Sequence, residues 1–198
     1  MLFFSIYRWF SRASKPQRWG AAIVFLLLLA GARPSQAEGW APAIGFVQYG
    51  VAEDTRATTA GVIWPWRKAW SAFGGQWSGY WEAAIGRWSA PGPDGRERAW
   101  ATQFGLTPVL RWRGRGGESP WFAEAGIGLT VVTPIYRSRS KRFSTGFNFG
   151  DHLAVGRNFG AQGQHELSLR YQHFSNGGIE HPNPGEDFVQ LRYARSFR

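Results

Sequence analysis

His173 and Ser175 stand two positions apart at the end of an alternating run, and Asp187 heads another such run twelve residues later. A serine, a histidine and a carboxylate are the parts of a hydrolytic triad. The imidazole takes the hydroxyl proton, and the carboxylate fixes the imidazole tautomer and stabilises its charged form. Leu167, Leu169 and Tyr171 recur at every second position before His173, with Glu166, Ser168, Arg170 and Gln172 between them. That period is the signature of a strand with one apolar face. His173 and Ser175 continue the apolar parity, roughly 7 Å apart at their Cα atoms. After a loop rich in Gly, Pro and Asn, Asp187 shares parity with Val189, Leu191 and Tyr193. Three reactive side chains on a greasy surface point to an esterase acting on a lipid. Taken alone, His-x-Ser near a strand end is also an ordinary pair of polar residues.

The elements that must position these residues are strands. Eight alternating segments lie near 44–53, 57–66, 76–88, 98–112, 120–133, 143–157, 164–175 and 187–197, with no convincing helix. The predicted fold class is all-β, an eight-stranded antiparallel transmembrane β-barrel. Segments of 12–15 residues exceed what soluble sheets need and suffice for a tilted membrane strand of about 9–11 residues. One parity carries aromatic and aliphatic side chains, among them Trp77, Trp81, Phe104, Leu129, Phe143, Phe147 and Leu153. The other carries Glu82, Gln103, Arg111, Glu124, Asn148, Arg170 and Arg192. A polar inside and an apolar outside are the arrangement of a membrane barrel. Twelve Trp, fifteen Phe and six Tyr suit its interfacial girdles. Pro65 and Pro108 each lack a ladder donor, which predicts strand ends or bulges there.

Residues 1–37 read as a secretory signal peptide and residues 38–198 as the barrel. Arg8, Arg12, Lys15 and Arg18 precede the apolar run 21–30, and Ser35-Gln36-Ala37 offers a small-x-small cleavage site. The net charge of the whole chain is +10; residues 1–37 hold five basic and no acidic residues, so the remainder carries +5. Half of the basicity is therefore an export signal, and nucleic acid is not an expected partner. The absence of cysteine removes disulfides and thiolate metal sites. With both termini periplasmic, the loops 54–56, 89–97, 134–142 and 176–186 face outward. His173 and Ser175 then meet the outer leaflet of a Gram-negative outer membrane. The basic run 137–142 is either a solvated charge run or a partner for lipid phosphates.

Residues 173–187, HFSNGGIEHPNPGED, resemble the signature of the PagL lipid A 3-O-deacylases. The resemblance implies an eight-stranded outer-membrane barrel with a lipid-facing triad that hydrolyses the ester-linked 3-hydroxyacyl chain at position 3 of lipid A. Carried over by position, it makes His173 the general base, Ser175 the nucleophile and Asp187 the acid. Asn183 and backbone amides around Gly177 and Gly178 would form the oxyanion hole, with Asn176 supporting them. The acid is Asp187 where familiar members have Glu, and strand parity sends the neighbouring Glu186 into the barrel. No metal or cofactor is implied. The expected partners are lipid A (lipopolysaccharide) in the outer leaflet, the membrane itself and a second copy of the chain as a homodimer. Two other readings are a non-catalytic small barrel with a structural or adhesive role, and a lipid A acyltransferase.

Overall fold

Side-chain alternation closes into a barrel in the computed structural model, which describes residues 42–197. The expected signal peptide, residues 1–37, lies outside the described residues. Among those described there are nine strands: β1 Ile44–Val51, β2 Arg56–Pro65, β3 Trp70–Ala72, β4 Gly75–Pro91, β5 Arg98–Gly114, β6 Trp121–Thr133, β7 Phe147–Phe159, β8 His165–Ser175 and β9 Glu186–Ser196. Eight of them form the ring β2-β1-β9-β8-β7-β6-β5-β4, closed by antiparallel pairing of β2 with β4. Closure leaves no unpaired edge among the eight, the condition for a sheet to cross hydrocarbon. β3 is a flap paired only with β4, where Trp70 stacks on Trp77 at 6.4 Å between ring centroids. Three residues are too few to display a period of two, and the alternation did not reveal it.

The two parities separate as expected. Leu129, Leu153, Leu169, Val189 and Leu191 lie exposed on the outer wall, far more apolar surface than water tolerates in a monomer. The interior holds an ion-pair network. Glu82 accepts from both terminal nitrogens of Arg170 at 3.2 Å and from Arg192 at 2.6 Å. Arg111 donates to Glu124 at 2.6 Å and to both oxygens of Glu166 at 2.6 and 2.8 Å. Arg192 also lies 3.5 Å from the centre of the Phe46 ring. Burial of these charges is tolerable because each is met by opposite charge and hydrogen bonds. Pro65 ends β2, and around Pro108 the β5–β6 pairing lapses between Leu106 and Val109 while β4–β5 pairing runs on.

At the rim away from the termini, loops fold into the barrel mouth. Trp88, Tyr136, Phe143, Phe174 and Phe188 form a buried aromatic cluster, with Trp88 centred 4.9 Å from Phe174 and 5.0 Å from Phe188. Phe143 was expected on the outer wall of a strand starting at 143. The strand instead begins at Phe147, and Phe143 is 2% exposed inside the mouth. Its backbone N–H bonds to Tyr136 O, which turns the loop back on itself and lets a large ring fill the mouth.

The basic run departs from both sequence expectations in part. Arg137, Arg139 and Arg142 are exposed, but Lys141 turns inward and its Nζ donates to Glu186 Oε1 at 2.8 Å. Burial alone would lower the Lys141 pKa. The hydrogen bond and charge of Glu186 outweigh it and hold the ammonium above the ordinary lysine value.

Candidate active site

Antiparallel register within a single hairpin assembles the site. β8 and β9 are joined by the loop 176–185, and their ladder sets His173 directly opposite Asp187. Cross-strand partners have Cβ atoms about 5 Å apart, so an aspartate side chain is long enough. His173 Nδ1 donates to Asp187 Oδ1 at 2.7 Å. Its accepting partner is a carboxylate, so Nδ1 carries the proton and Nε2 is left as the basic nitrogen. Tyr171, two residues earlier on the same face, donates its hydroxyl to the same Oδ1 at 2.9 Å. The His173 and Asp187 side chains are 24% and 49% exposed, on the outer wall.

Ser175 ends β8 on that face, paired with Phe149 of β7. Its hydroxyl makes no hydrogen bond to another described residue, so the acid–imidazole link is closed and the imidazole–serine link is open. Catalytic contacts of this kind often tighten only with substrate in place. Glu186 points the other way: it is fully buried and bonded to Lys141 and Tyr136. Adjacent carboxylates on one strand thus serve opposite faces.

The loop after Ser175 is held by its asparagines. Asn176 is 1% exposed; its Nδ2 donates to Ser144 Oγ at 3.0 Å and to Glu180 O at 2.8 Å. Its Oδ1 accepts from the Gly178 N–H at 2.9 Å, and its own N–H donates to Asn183 Oδ1 at 3.1 Å. Gly177 and Gly178 have φ of 68° and 81°, the left-handed region where glycine costs least. The Gly178 amide is therefore spent on Asn176. Asn183 has its carbonyl oxygen engaged, and its Nδ2 makes no bond to another described residue; the same holds for the Gly177 N–H. The donors open to a reacting oxygen narrow to those two. Among the described residues no group of three or more His, Asp or Glu side chains converges as metal ligands would.

A family model described as lipid A 3-O-deacylase (PagL) matches residues 55–196. The chain belongs to the PagL family. It is 36% identical to the lipid A deacylase PagL of Bordetella bronchiseptica over 155 residues, 76% of this chain and 82% of that one. It is 31% identical to the lipid A deacylase PagL of Pseudomonas aeruginosa over 134 residues, 67% and 73% of the two chains. A crystal structure of the outer membrane enzyme PagL superposes with a TM-score of 0.66 at 27% identity, covering 77% of this chain and 99% of that one. The eight-stranded ring is thus a Gram-negative outer-membrane barrel of the PagL type.

Three neighbours of the site escaped the sequence reading. By parity Tyr171 belongs to the wall, because an apolar stripe does not reveal which tyrosine hydroxyl finds a carboxylate. Gly185, at φ 70°, faces the imidazole so closely that an added Cβ would lie 2.6 Å from His173 Cε1. Asp151 is the cross-strand partner of His173 on its other side, in β7, with Oδ1 shielded from solvent and bonded to no described residue. It had a signal. Asp151 interrupts the outward stripe Phe147, Phe149, Leu153, Val155 as Asp187 heads its own.

Proposed function

We propose that the protein is a serine esterase that removes the 3-hydroxyacyl chain from position 3 of lipid A. The observation that carries this reading is the 2.7 Å bond from His173 to Asp187 on the outer wall, with Ser175 beside it, inside the segment matched by the deacylase family model. With the termini periplasmic, the site opens to the outer leaflet, where the acyl chains already lie. His173 Nε2 takes the Ser175 proton as Oγ attacks the ester carbonyl, and Asp187 stabilises the imidazolium. Asn183 Nδ2 and the Gly177 N–H receive the developing oxyanion, each contributing about 3 kcal/mol. The imidazolium then returns its proton to the departing sugar oxygen. Water, activated by the same imidazole, releases the 3-hydroxy fatty acid and restores Ser175.

An acyl chain gains nothing from the interior, where Glu82, Glu124, Arg170 and Arg192 would lose partners on its entry. The reading is tested by mass spectrometry of lipid A incubated with the purified barrel. The expected product lacks one 3-hydroxyacyl group, and Ser175→Ala yields none. Full activity in Ser175→Ala, or transfer of the chain to another lipid with no free fatty acid, would sink it.

A further inference from the structure

Across the ring from β8 stands β4, and its outer face carries a second polar feature of the wall. Tyr49, Arg56, Thr58, Arg87, Ser89, Arg98 and Trp100 line a shallow cleft of about 580 Å³. The register explains the convergence: Arg56 pairs with Ser89, Thr58 with Arg87, Ser89 with Trp100 and Pro91 with Arg98, so three arginines from three strands meet on one face. Arg56 and Arg98 open their strands at the rim where Ser175 closes β8. None of the three forms an ion pair with a described carboxylate. In the interior, by contrast, every arginine that faces a carboxylate is paired with it.

Uncompensated like charges on a lipid-facing wall repel one another and are poorly solvated, unless an anion sits among them. Two of the three guanidinium groups are also held in place. Arg87 donates to Thr102 Oγ1 at 2.8 Å and lies 5.2 Å from the Trp100 ring centre; Arg98 Nε donates to Ser89 Oγ at 2.6 Å. Groups ordered in advance lose less entropy on binding, and a planar guanidinium matches two phosphate oxygens at once. Away from the rim the same wall continues as exposed Val47, Ile85, Phe104 and Leu106. The cleft thus offers cationic groups at headgroup height above a surface suited to acyl chains.

We propose that this cleft binds a phosphorylated glycolipid of the outer leaflet, at a site separate from Ser175 and with no hydrolysis there. The proposal does not depend on the catalytic reading, because it concerns a different face. Its test uses lipid A from which the 3-O-acyl chain has already been removed, so that turnover does not interfere. The bisphosphorylated form and the same lipid stripped of phosphate are titrated against the folded barrel in detergent, and retained lipid is counted by native mass spectrometry. The phosphorylated form should be retained about tenfold more tightly or better. The variant R56Q/R87Q/R98Q should lose that preference, and R137Q/R139Q/R142Q in the loop should keep it. Equal retention of the two lipids, a preference that survives in the wall variant, or its loss only in the loop variant would overturn the proposal. Millimolar inorganic phosphate should not displace the lipid; displacement would make this a free-anion site and overturn the lipid assignment. Should the triple variant fail to fold, each single Arg→Gln change should weaken the preference, and three unaffected singles overturn the proposal equally. Hydrolysis of intact lipid A is followed in parallel, so that failure of the esterase reading registers on its own.

Discussion

The interior of the barrel and its outer wall both gather carboxylates beside basic groups, yet they use them differently. Inside, Glu82 is shared between Arg170 and Arg192 and is nearly inaccessible. Its hydrogen-bonded partners are guanidinium groups. On the wall, Asp187 is about half exposed and meets an imidazole, a group with one ring nitrogen to donate and one to accept. Beside it stands a hydroxyl bonded to no described residue. Charges paired with charges mark the scaffold, whereas an acid–imidazole pair beside an unengaged hydroxyl marks the site. Glu186 and Asp187 compress the contrast into two adjacent residues, one locked to Lys141 and Tyr136 and the other to His173 and Tyr171.

Breaking each side of this comparison should have a distinct signature. The largest effect is expected from Asp187→Asn, which removes the carboxylate that holds the Nδ1–H tautomer. Turnover of lipid A should fall by about 10⁴-fold with the barrel still folded; a loss of tenfold or less would mean that Asp187 is not the acid. Next comes Glu82→Gln, which leaves buried Arg192 without a carboxylate and Arg170 with only Glu124, 3.9 Å away, and should cost about 3–5 kcal/mol of stability. Denaturant titration in detergent reads this, and activity per folded molecule should stay near wild type. A third change, Gly185→Ala, pushes a methyl toward the imidazole in a backbone region hostile to side chains. Displacement of the ring by about 1 Å should lower kcat by about 10²-fold, with little change in KM.

Smaller effects sharpen the picture. Tyr171→Phe removes one of two hydrogen bonds to Asp187 and should reduce turnover about three- to tenfold. An unchanged rate would reduce Tyr171 to part of the wall. The smallest effect on turnover belongs to Glu186→Gln, since its carboxylate serves the loop. It should loosen residues 134–146 to proteolysis before it touches the chemistry. If instead it matches Asp187→Asn in turnover assays, the register is slipped by one residue.

Much of this was legible in the sequence because the strand period is a local property. Each residue's face follows from its parity, so the ring of eight, the polar lumen, and the opposite destinations of Glu186 and Asp187 could be read along the chain. The segment 173–187 was legible for a related reason: a single hairpin holds all the residues proposed for the reaction. Parity is silent about neighbours on other strands and about loops. It could not reveal that Asp151 of β7 lies beside His173, that Arg56, Arg87 and Arg98 meet on the far wall, or that Asn176 consumes the Gly178 amide. Nor could it place Phe143, whose position depends on a mouth that exists only once the ring has closed. Faces are set by backbone geometry within a strand, while neighbours are set by the register between strands, and only the closed barrel decides that register.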